Sequence, residues 1–190
     1  MKVGVLALQG AFGLHEQVLE QLGVGVVRVR TPEHLAEVDR LIIPGGESTT
    51  MSKLLDANAL AAPLADRLAD GMAVLGTCAG MILLASQVQD GYPAQHCFAA
   101  VDVAVRRNGY GRQTDSFHAP LSVQLGAWQG DFSGVFIRAP KVCAVGTDVE
   151  VLAQLDGVAV MCRQGLAVVS AFHPELSGDH RIHSWFLELG

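Results

Sequence analysis

The sequence predicts an α/β fold with a mainly parallel central sheet and antiparallel strands added in its second half. Half of the residues are hydrophobic but only 6% are aromatic. The core must therefore be built from Ala, Val, Leu and Ile, as in parallel strands that helices cover. In the first half, short apolar runs alternate with amphipathic segments of helical length. After Gln87, alternating apolar and polar residues follow one another with no helix between them.

The first half of the chain alternates strand and helix signals. Gly23 closes the first helix, and Pro44-Gly45-Gly46 stops the third strand. Strands separated by helices of this length form right-handed βαβ units and a parallel sheet. The predicted strands are 3–8, 24–29, 41–43 and 72–76, and the predicted helices are 11–22, 48–55, 60–68 and 79–85.

The second half is predicted to add strands to the same sheet. Asp156-Gly157 is a good hairpin turn between two of them. No linker, repeat or low-complexity segment interrupts the chain, so we expect a single domain over residues 1–190. The expected strands are 101–105, 121–125, 149–155, 158–162 and 166–172, and a helix over 180–189 closes the fold.

Charge and composition exclude several classes of protein. Thirteen Lys and Arg against nineteen Asp and Glu give a net charge of −6, whereas nucleic-acid binding needs a basic face. The apolar start ends at Gln9-Gly10, too early for a signal peptide, and no run approaches the roughly 18 apolar residues of a membrane span. Four widely spaced cysteines are typical of reduced thiols in the cytoplasm. We expect a cytoplasmic protein with neither nucleic-acid nor membrane partners.

The sharpest local signal is Gly76-Thr77-Cys78-Ala79-Gly80, between a predicted strand and a predicted helix. Glycines on either side allow a tight strand-to-helix turn that exposes a nucleophile at the edge of the sheet. The amino end of the helix favours the thiolate of Cys78. An isolated cysteine is more often a small buried residue, but this placement favours a nucleophile. We expect Cys97, Cys143 and Cys162 to be structural.

A general base is predicted at His173, directly after a buried strand. Pro174 favours an extended conformation at His173, and side chains alternate along an extended chain, so Glu175 should point the same way. That arrangement lets a carboxylate orient an imidazole. Alone, this segment would be an ordinary strand exit; together with Cys78 it predicts a catalytic triad.

The other histidines are predicted to lie outside the site. His15 and His34 are expected on the surface, and His96 and His118 in loops. A metal site is a weak alternative. The helix that would carry two of its ligands, His180 and His183, has the polar pattern of a solvated surface, and no cysteine lies nearby in sequence. Its four ligands would be His173, Glu175, His180 and His183.

Three further segments are candidates for substrate binding. In Pro44-Gly45-Gly46-Glu47-Ser48 the glycines let the backbone approach a ligand, and the N–H groups that open the next helix can face an oxyanion. The default interpretation of such a loop is an ordinary strand-to-helix turn. Arg107 and Arg138 could each bind a carboxylate in a bidentate manner. Internal ion pairs would explain both arginines equally well.

Six segments, in this order along the chain, also match a known family. The chain resembles the glutaminase subunits of pyridoxal 5′-phosphate synthases, which are class I, triad-type glutamine amidotransferases with a flavodoxin-like domain. The segments are Leu8-Gln9-Gly10, Pro44-Gly45-Gly46-Glu47-Ser48-Thr49-Thr50, Gly76-Thr77-Cys78-Ala79-Gly80, Arg107-Asn108 with Tyr110-Gly111-Arg112-Gln113, Phe136-Ile137-Arg138-Ala139-Pro140 and Phe172-His173-Pro174-Glu175-Leu176.

The resemblance implies a role for each matching residue. Cys78 would be the nucleophile, His173 the general base and acid, and Glu175 the orienting carboxylate. An oxyanion hole would be formed by the Gly46 region and the amide of Ala79. The implied contacts with L-glutamine are Gly46, Glu47, Ser48, Arg107, Ile137 and Arg138.

The same resemblance implies a reaction and a partner. Glutamine would be hydrolysed through a thioester, and the ammonia would pass to a (β/α)₈-barrel synthase subunit, which would hold the sugar phosphates and the product. This chain would need no cofactor and no metal. We expect the free subunit to be latent, because the Gly45-Gly46 peptide can flip at little steric cost and would form the oxyanion hole only on docking. Two alternatives stay open at this point: another cysteine hydrolase or stress protein of similar architecture, and a non-catalytic module that binds phosphate at the Gly-Gly loop.

Overall fold

The computed structural model describes residues 1–109 and 116–190. Within these residues, the strands form one sheet of nine strands and a second sheet of three strands. The motif residues Tyr110-Gly111-Arg112-Gln113 lie outside the described residues.

The first half forms the parallel part of the large sheet, as predicted. Strands β1, β2, β3 and β4 pair in parallel. One short helix, α2, was not predicted, and it begins with proline after the extended residue Thr31. The elements are β1 (Lys2–Leu6), α1 (Phe12–Gln21), β2 (Gly25–Val29), α2 (Pro32–Ala36), β3 (Arg40–Ile43), α3 (Ser48–Ala57), α4 (Ala61–Ala69), β4 (Ala73–Thr77) and α5 (Ala79–Leu84).

In the second half, the last strand returns to the centre of the large sheet. Strand β12 pairs in parallel with β4, and β11 pairs antiparallel with β12. The predicted hairpin at Asp156-Gly157 joins β10 to β11. The elements are β5 (Ala85–Val88), β6 (Val101–Arg106), β7 (Ser116–Leu125), β8 (Trp128–Ile137), β9 (Lys141–Val145), β10 (Glu150–Leu155), β11 (Val158–Gln164), β12 (Ala167–Ser170), a 3₁₀ turn (Pro174–Leu176) and α6 (Arg181–Leu187).

The nine strands of the large sheet have the order β2-β1-β3-β4-β12-β11-β10-β7-β8. The three strands of the small sheet have the order β5-β6-β9.

The prediction that residues 101–105 add a strand to the main sheet is wrong. This strand, β6, belongs to the small sheet, where it pairs in parallel with β5 and antiparallel with β9. Strand β5 directly follows α5, so it starts from the helical layer rather than from an edge of the main sheet. The alternating valines of β6 are fully buried and belong to the same core as β12. The alternation of apolar and polar residues therefore indicates which face of β6 is buried, but not which sheet the strand joins.

Strand β8 was not predicted, although it pairs with β7 along its whole length. Two glycines, Gly130 and Gly134, interrupt its apolar pattern. A Cβ at position 134 would lie 2.7 Å from Cδ1 of Leu121 on β7, so a close approach between the strands requires glycine there.

The core lies on both faces of the central strands. Leu41, Ile42 and Ile43 on β3 and Val74 and Leu75 on β4 are all fully buried. Burial of each such side chain away from water stabilises the fold by about 1.5–3 kcal/mol. This core fixes β4 and β12 side by side at the centre of the sheet. Among the described residues, no helix is both long enough and apolar enough to cross a membrane.

Candidate active site

The two predicted catalytic segments leave neighbouring parallel strands at the same edge of the sheet. Thr77 pairs with Ser170 at the last position of the β4–β12 ladder. One residue later, the backbone N–H of Cys78 donates to the carbonyl of Ser170 at 2.8 Å. The chain then reaches His173, whose N–H donates to the carbonyl of Val135 at 2.8 Å. Sheet register thus brings the thiol and the imidazole together.

The turn at Cys78 is strained, and the strain lies on the cysteine itself. Its φ is 50° and its ψ is −102°, a conformation that costs a residue with a side chain about 1–3 kcal/mol. The flanking glycines serve close packing instead. A Cβ at Gly76 would lie 2.7 Å from the backbone of Gly80, and one at Gly80 would collide with the carbonyl of Ile43. Cys78 is 6% exposed, at the start of α5.

His173 and Glu175 form the predicted pair, but by a different backbone route. Nδ1 of His173 lies 2.7 Å from Oε1 of Glu175. The chain does not stay extended: Pro174, Glu175 and Leu176 form a 3₁₀ turn. Proline is favoured in the first turn of a helix because its missing N–H has no helical partner there. The turn brings Glu175 back toward the imidazole, so the predicted contact is present and the predicted extended conformation is wrong.

The pair is arranged to carry opposite charges. Burial opposes the charged form of His173, but contacts with Cys78 and Glu175 outweigh it and raise the pKa of His173 to about 10. Burial likewise opposes the charged form of Glu175, yet the neighbouring His15 and His173 lower the pKa of that carboxyl. An imidazolium beside the sulfur is the setting in which a cysteine acts as a thiolate nucleophile.

Three predictions about the other histidines are wrong. His15 and His183 are both fully buried, although each was placed on a solvated surface, and His118 lies on β7 rather than in a loop. His15 contacts the triad: its Nε2 lies 3.4 Å from Oε2 of Glu175. Sequence spacing contains the missed signal, since His15 shares one helical face with Val18 and Leu19.

The loop after β3 packs closely against the triad. A Cβ at Gly45 would collide with Cε1 of His173, and one at Gly46 would collide with Oε1 of Gln9. Neither glycine has a positive φ. Gly45 therefore needs glycine for space in this conformation, because the ring of His173 leaves no room for a Cβ there. The carbonyl of Gly45 accepts a hydrogen bond from the N–H of Ala11 at 2.9 Å, which ties the loop to the segment after β1.

Glu47 and Arg107 form an ion pair at the rim of the site. The Glu47 carboxylate caps α3, accepting from the N–H groups of Thr49 at 3.0 Å and Thr50 at 2.7 Å. Nη2 of Arg107 donates to Oε1 of Glu47 at 3.0 Å. Burial alone would raise the pKa of Glu47, but its hydrogen bonds lower it to about 2. The ion pair, one of the two interpretations left open for Arg107, is therefore present, and a role for Arg107 in substrate binding stays a prediction.

A cavity of about 410 Å³ joins these parts. It contains the thiol and the imidazole, while Ala79 and Glu175 lie outside its lining. The exposed Arg138, with φ 44°, also lines it. Oγ of Ser48 is buried and has no hydrogen-bond partner among the residues described. The lining residues are Gln9, Gly10, Ala11, Gly45, Gly46, Glu47, Ser48, Cys78, Ile82, Arg107, Asn108, Ile137, Arg138 and His173.

Other cavities and cysteines lack this combination. A cavity of about 480 Å³ beside Trp128 and Trp185 has no cysteine or histidine among its described lining residues. All four cysteines are unpaired. Burial raises the pKa of Cys162 to about 12, which keeps it a thiol. Cys97 and Cys143 are exposed, and the structural role expected for all three cysteines stays a prediction.

Comparison with known proteins decides the family. Residues 5–189 match the SNO glutamine amidotransferase family. The chain belongs to this family. A member named pyridoxal 5′-phosphate synthase subunit PdxT from Herpetosiphon aurantiacus is 52% identical over the full length of both chains. A protein of the same name from Carboxydothermus hydrogenoformans is 50% identical and covers 99% of this chain and 97% of its own.

Solved structures agree with this glutamine amidotransferase assignment. A crystal structure of a glutamine amidotransferase superposes with a TM-score of 0.90 at 46% identity, covering 98% of this chain and 97% of that one. PurLQS from Thermotoga maritima superposes with a TM-score of 0.72 at 15% identity, over 98% of this chain and 96% of that one. The second likeness shows the shared fold alone. The predicted α/β class with its mainly parallel first half is thus confirmed.

Proposed function

We propose that this chain is a glutaminase that hydrolyses L-glutamine to L-glutamate and ammonia, with Cys78, His173 and Glu175 as its catalytic triad. The observation that carries the proposal is the position of His173, which lines the same cavity as Cys78 and whose Nδ1 lies 2.7 Å from Oε1 of Glu175, behind the cavity wall. A nucleophile, a base within reach and a group that orients the base are the parts that acyl transfer requires.

The first half of the reaction forms a thioester. The Cys78 sulfur attacks the side-chain amide carbon of glutamine, and the carbonyl oxygen takes up the negative charge. His173 then gives its proton to the amide nitrogen, the carbon–nitrogen bond breaks and ammonia leaves. The raised pKa of His173 suits this step, because the imidazolium must be present at neutral pH.

The second half regenerates the enzyme. His173, now neutral, takes a proton from water, and the resulting hydroxide attacks the thioester carbon. The carbon–sulfur bond breaks, which releases glutamate and restores the thiolate and the imidazolium. Throughout, Glu175 keeps Nδ1 of His173 protonated, so that Nε2 faces the reacting atoms.

An oxyanion hole is proposed at Gly46 and Ala79. The amide of Ala79 follows the nucleophile directly, at the start of α5. In a trans peptide the N–H points opposite to the C=O. The bond from Ala11 to the Gly45 carbonyl therefore sets the direction of the Gly46 N–H. Because Gln9 also accepts from the N–H of Glu47 at 2.8 Å, the segment after β1 controls this loop.

Glutamine binding is proposed at Gly46, Glu47, Ser48, Arg107, Ile137 and Arg138, all of which line the cavity. The buried hydroxyl of Ser48 supports this, since buried polar atoms are nearly always paired. Arg107 already pairs with Glu47, which leaves the exposed Arg138 the better candidate for the substrate carboxylate. The carbonyl of Ile137, 3.7 Å from the Cys78 sulfur, places that segment beside the reacting centre.

We further propose that the ammonia is used by a (β/α)₈-barrel subunit of a pyridoxal 5′-phosphate synthase, which docks beside Gln9 and Gly10. The names of the relatives support this assignment. Residues 1–190 would act as one glutaminase domain, and the unpaired cysteines fit the reducing cytoplasm. Docking would complete the oxyanion hole, since the segment it touches holds the Gly45 carbonyl.

The test is glutamate release at saturating glutamine, measured with the purified chain alone and with a barrel synthase subunit from the same source. We expect release that depends on Cys78 and rises about 10²–10³-fold with the partner, the value of one oxyanion-hole donor. Full activity without the partner would contradict the docking proposal. No release in either condition would contradict the glutaminase proposal and favour a different cysteine hydrolase or a binding module.

A further inference from the structure

Behind the triad lies a buried row of polar side chains that the reaction scheme does not use. His15 on α1 is at its centre and is fully buried. Its Nδ1 lies 2.9 Å from Nε2 of His183 on α6. Its Nε2 lies 3.3 Å from Oγ1 of Thr77 and 3.4 Å from Oε2 of Glu175. His15 thus touches both the residue before the nucleophile and the triad carboxylate.

The available hydrogen-bond partners decide which ring nitrogen of His15 and of His183 carries the proton. Two imidazoles 2.9 Å apart share one proton. If His15 gave its Nδ1 proton to His183, the buried Nδ1 of His183 would carry an N–H with no partner among the described residues. An orphaned buried donor is rarer than an orphaned acceptor. His183 therefore donates to Nδ1 of His15, and Nε2–H of His15 points to Thr77 and Glu175.

Both histidines of the row are neutral in this arrangement. Burial lowers the pKa of His15, and the opposing effect of the Glu175 carboxylate is smaller. Burial together with His15 lowers the pKa of His183 to about 3. The row can then offer Glu175 an N–H dipole without placing a second positive charge beside the His173 imidazolium.

Glu175 needs such support. It lies on a 3₁₀ turn of three residues instead of a strand. Its Oε1 contacts His173, while Oε2 is buried and forms no regular hydrogen bond within the described part of the chain. The contact of 3.4 Å with His15 is long for a hydrogen bond, and contacts of this kind commonly tighten when substrate binds.

We propose that His15, itself held by His183, is a positioning residue that fixes the second oxygen of Glu175 and so keeps the first oxygen on His173. The inference rests on the proposed glutaminase function. It predicts that His15 affects turnover and leaves glutamine binding nearly unchanged, because the row does not line the cavity.

The variants His15→Leu and His15→Gln test this in the complex with the barrel subunit. Leucine removes the donor, and we expect kcat to fall about 10–100-fold, the scale seen when residues that orient metal-binding side chains are removed. KM for glutamine should stay within about 2-fold. Glutamine at position 15 places an amide N–H near the position of Nε2 and should recover most of kcat. Equal losses in both variants would overturn the proposal.

A double-mutant cycle separates positioning from general damage to the fold. If His15 acts through Glu175, adding His15→Leu to Glu175→Gln should cause little further loss of kcat. An additive loss would contradict the proposal. Val18→Ala removes buried volume one helical turn from His15 on the same face of α1 without removing a polar group. It is the control for packing damage and should lower stability while kcat stays unchanged.

His183→Leu tests the same row of side chains from its far end. If His15→Leu does not fold, His183→Leu removes the donor to His15 from the far end and should show the same split between kcat and KM. Unchanged kcat in His183→Leu would then overturn the proposal. A wild-type complex without glutamate release would show that the glutaminase function itself is wrong, whereas an active wild type with unaffected variants would refute the positioning role alone.

Discussion

The two sides of Glu175 contrast sharply. On the side of the cavity, the carboxylate meets His173, whose pKa is raised to about 10 by Glu175 and Cys78 despite its burial. On the opposite side it faces His15, a fully buried histidine whose pKa is lowered. The same side chain type is thus charged on one side of a carboxylate and neutral on the other.

The difference shows that burial and neighbouring groups together set the pKa of a histidine. His173 gains two partners with negative character, which outweigh the cost of burial. His15 has one such partner at longer range, and burial prevails. Positive charge is thereby confined to the imidazole that faces the nucleophile, where the reaction scheme needs a mobile proton.

The largest expected effect comes from removing the nucleophile or the base of the proposed triad. Cys78→Ala and His173→Ala should each lower kcat for glutamine hydrolysis by about 10⁶-fold, as in other enzymes whose nucleophile and base act as a unit. Because the two residues act together, the double variant should be no worse than either single one. Steady-state release of glutamate measures this, and a single variant with more than about a hundredth of wild-type activity would contradict these roles.

Glu175→Gln should have the next largest effect. An amide favours the wrong tautomer of the imidazole, and the corresponding change in serine proteases lowers kcat about 10⁴-fold. Some activity should remain, since the thiol and the base are both kept. Residual activity equal to that of Cys78→Ala would argue against a purely orienting role for the carboxylate.

A smaller effect is expected on the pH dependence of stability. His15 and His183 have lowered pKa values in the folded state, so the unfolded chain binds more protons below pH 6.5. Stability should fall as pH decreases from 6.5 toward 3, the value for His183. His173 acts in the opposite sense, because its contribution is complete below pH 6.5 and is lost as pH rises through about 10.

The variant His183→Leu tests the acidic part of that profile by urea unfolding at several pH values. Its free energy of unfolding should decline less steeply than that of the wild type between pH 6.5 and 4, by up to about 1.4 kcal/mol per pH unit. The charged and titratable groups near this row are Glu175, His15, His173 and His180. Val18→Ala should leave the slope unchanged, and an identical slope in His183→Leu would contradict the neutral state of His183.

Sequence reasoning recovers the charged side of Glu175 far better than the neutral side. Cys78 and His173 each follow a buried strand, and parallel strands end at one edge of a sheet, so their meeting follows from pattern alone. The contact between His173 and Glu175 was also expected, although a 3₁₀ turn and not an extended chain makes it. Local propensity could not decide between those two conformations, because proline is compatible with both.

The neutral side escaped prediction because it depends on long-range packing. His15 and His183 are 168 positions apart in sequence, and no local pattern joins them. Polar neighbours made both helices look solvated, whereas the helical spacing of His15 with Val18 and Leu19 was the better guide to burial. The small sheet was missed for a similar reason: alternation shows which face of β6 is buried, but not the sheet to which β6 belongs.

The most direct test of the central claim is to map the cysteine that reacts with a glutamine-analogue electrophile. Cys97 and Cys143 are exposed, whereas Cys78 is 6% exposed. Accessibility alone would therefore label the first two. We expect the label on Cys78, with protection by excess glutamine and loss of labelling in His173→Ala, as determined by peptide mass mapping. Faster labelling of Cys97 or Cys143, or labelling of Cys78 that glutamine does not slow, would contradict the account.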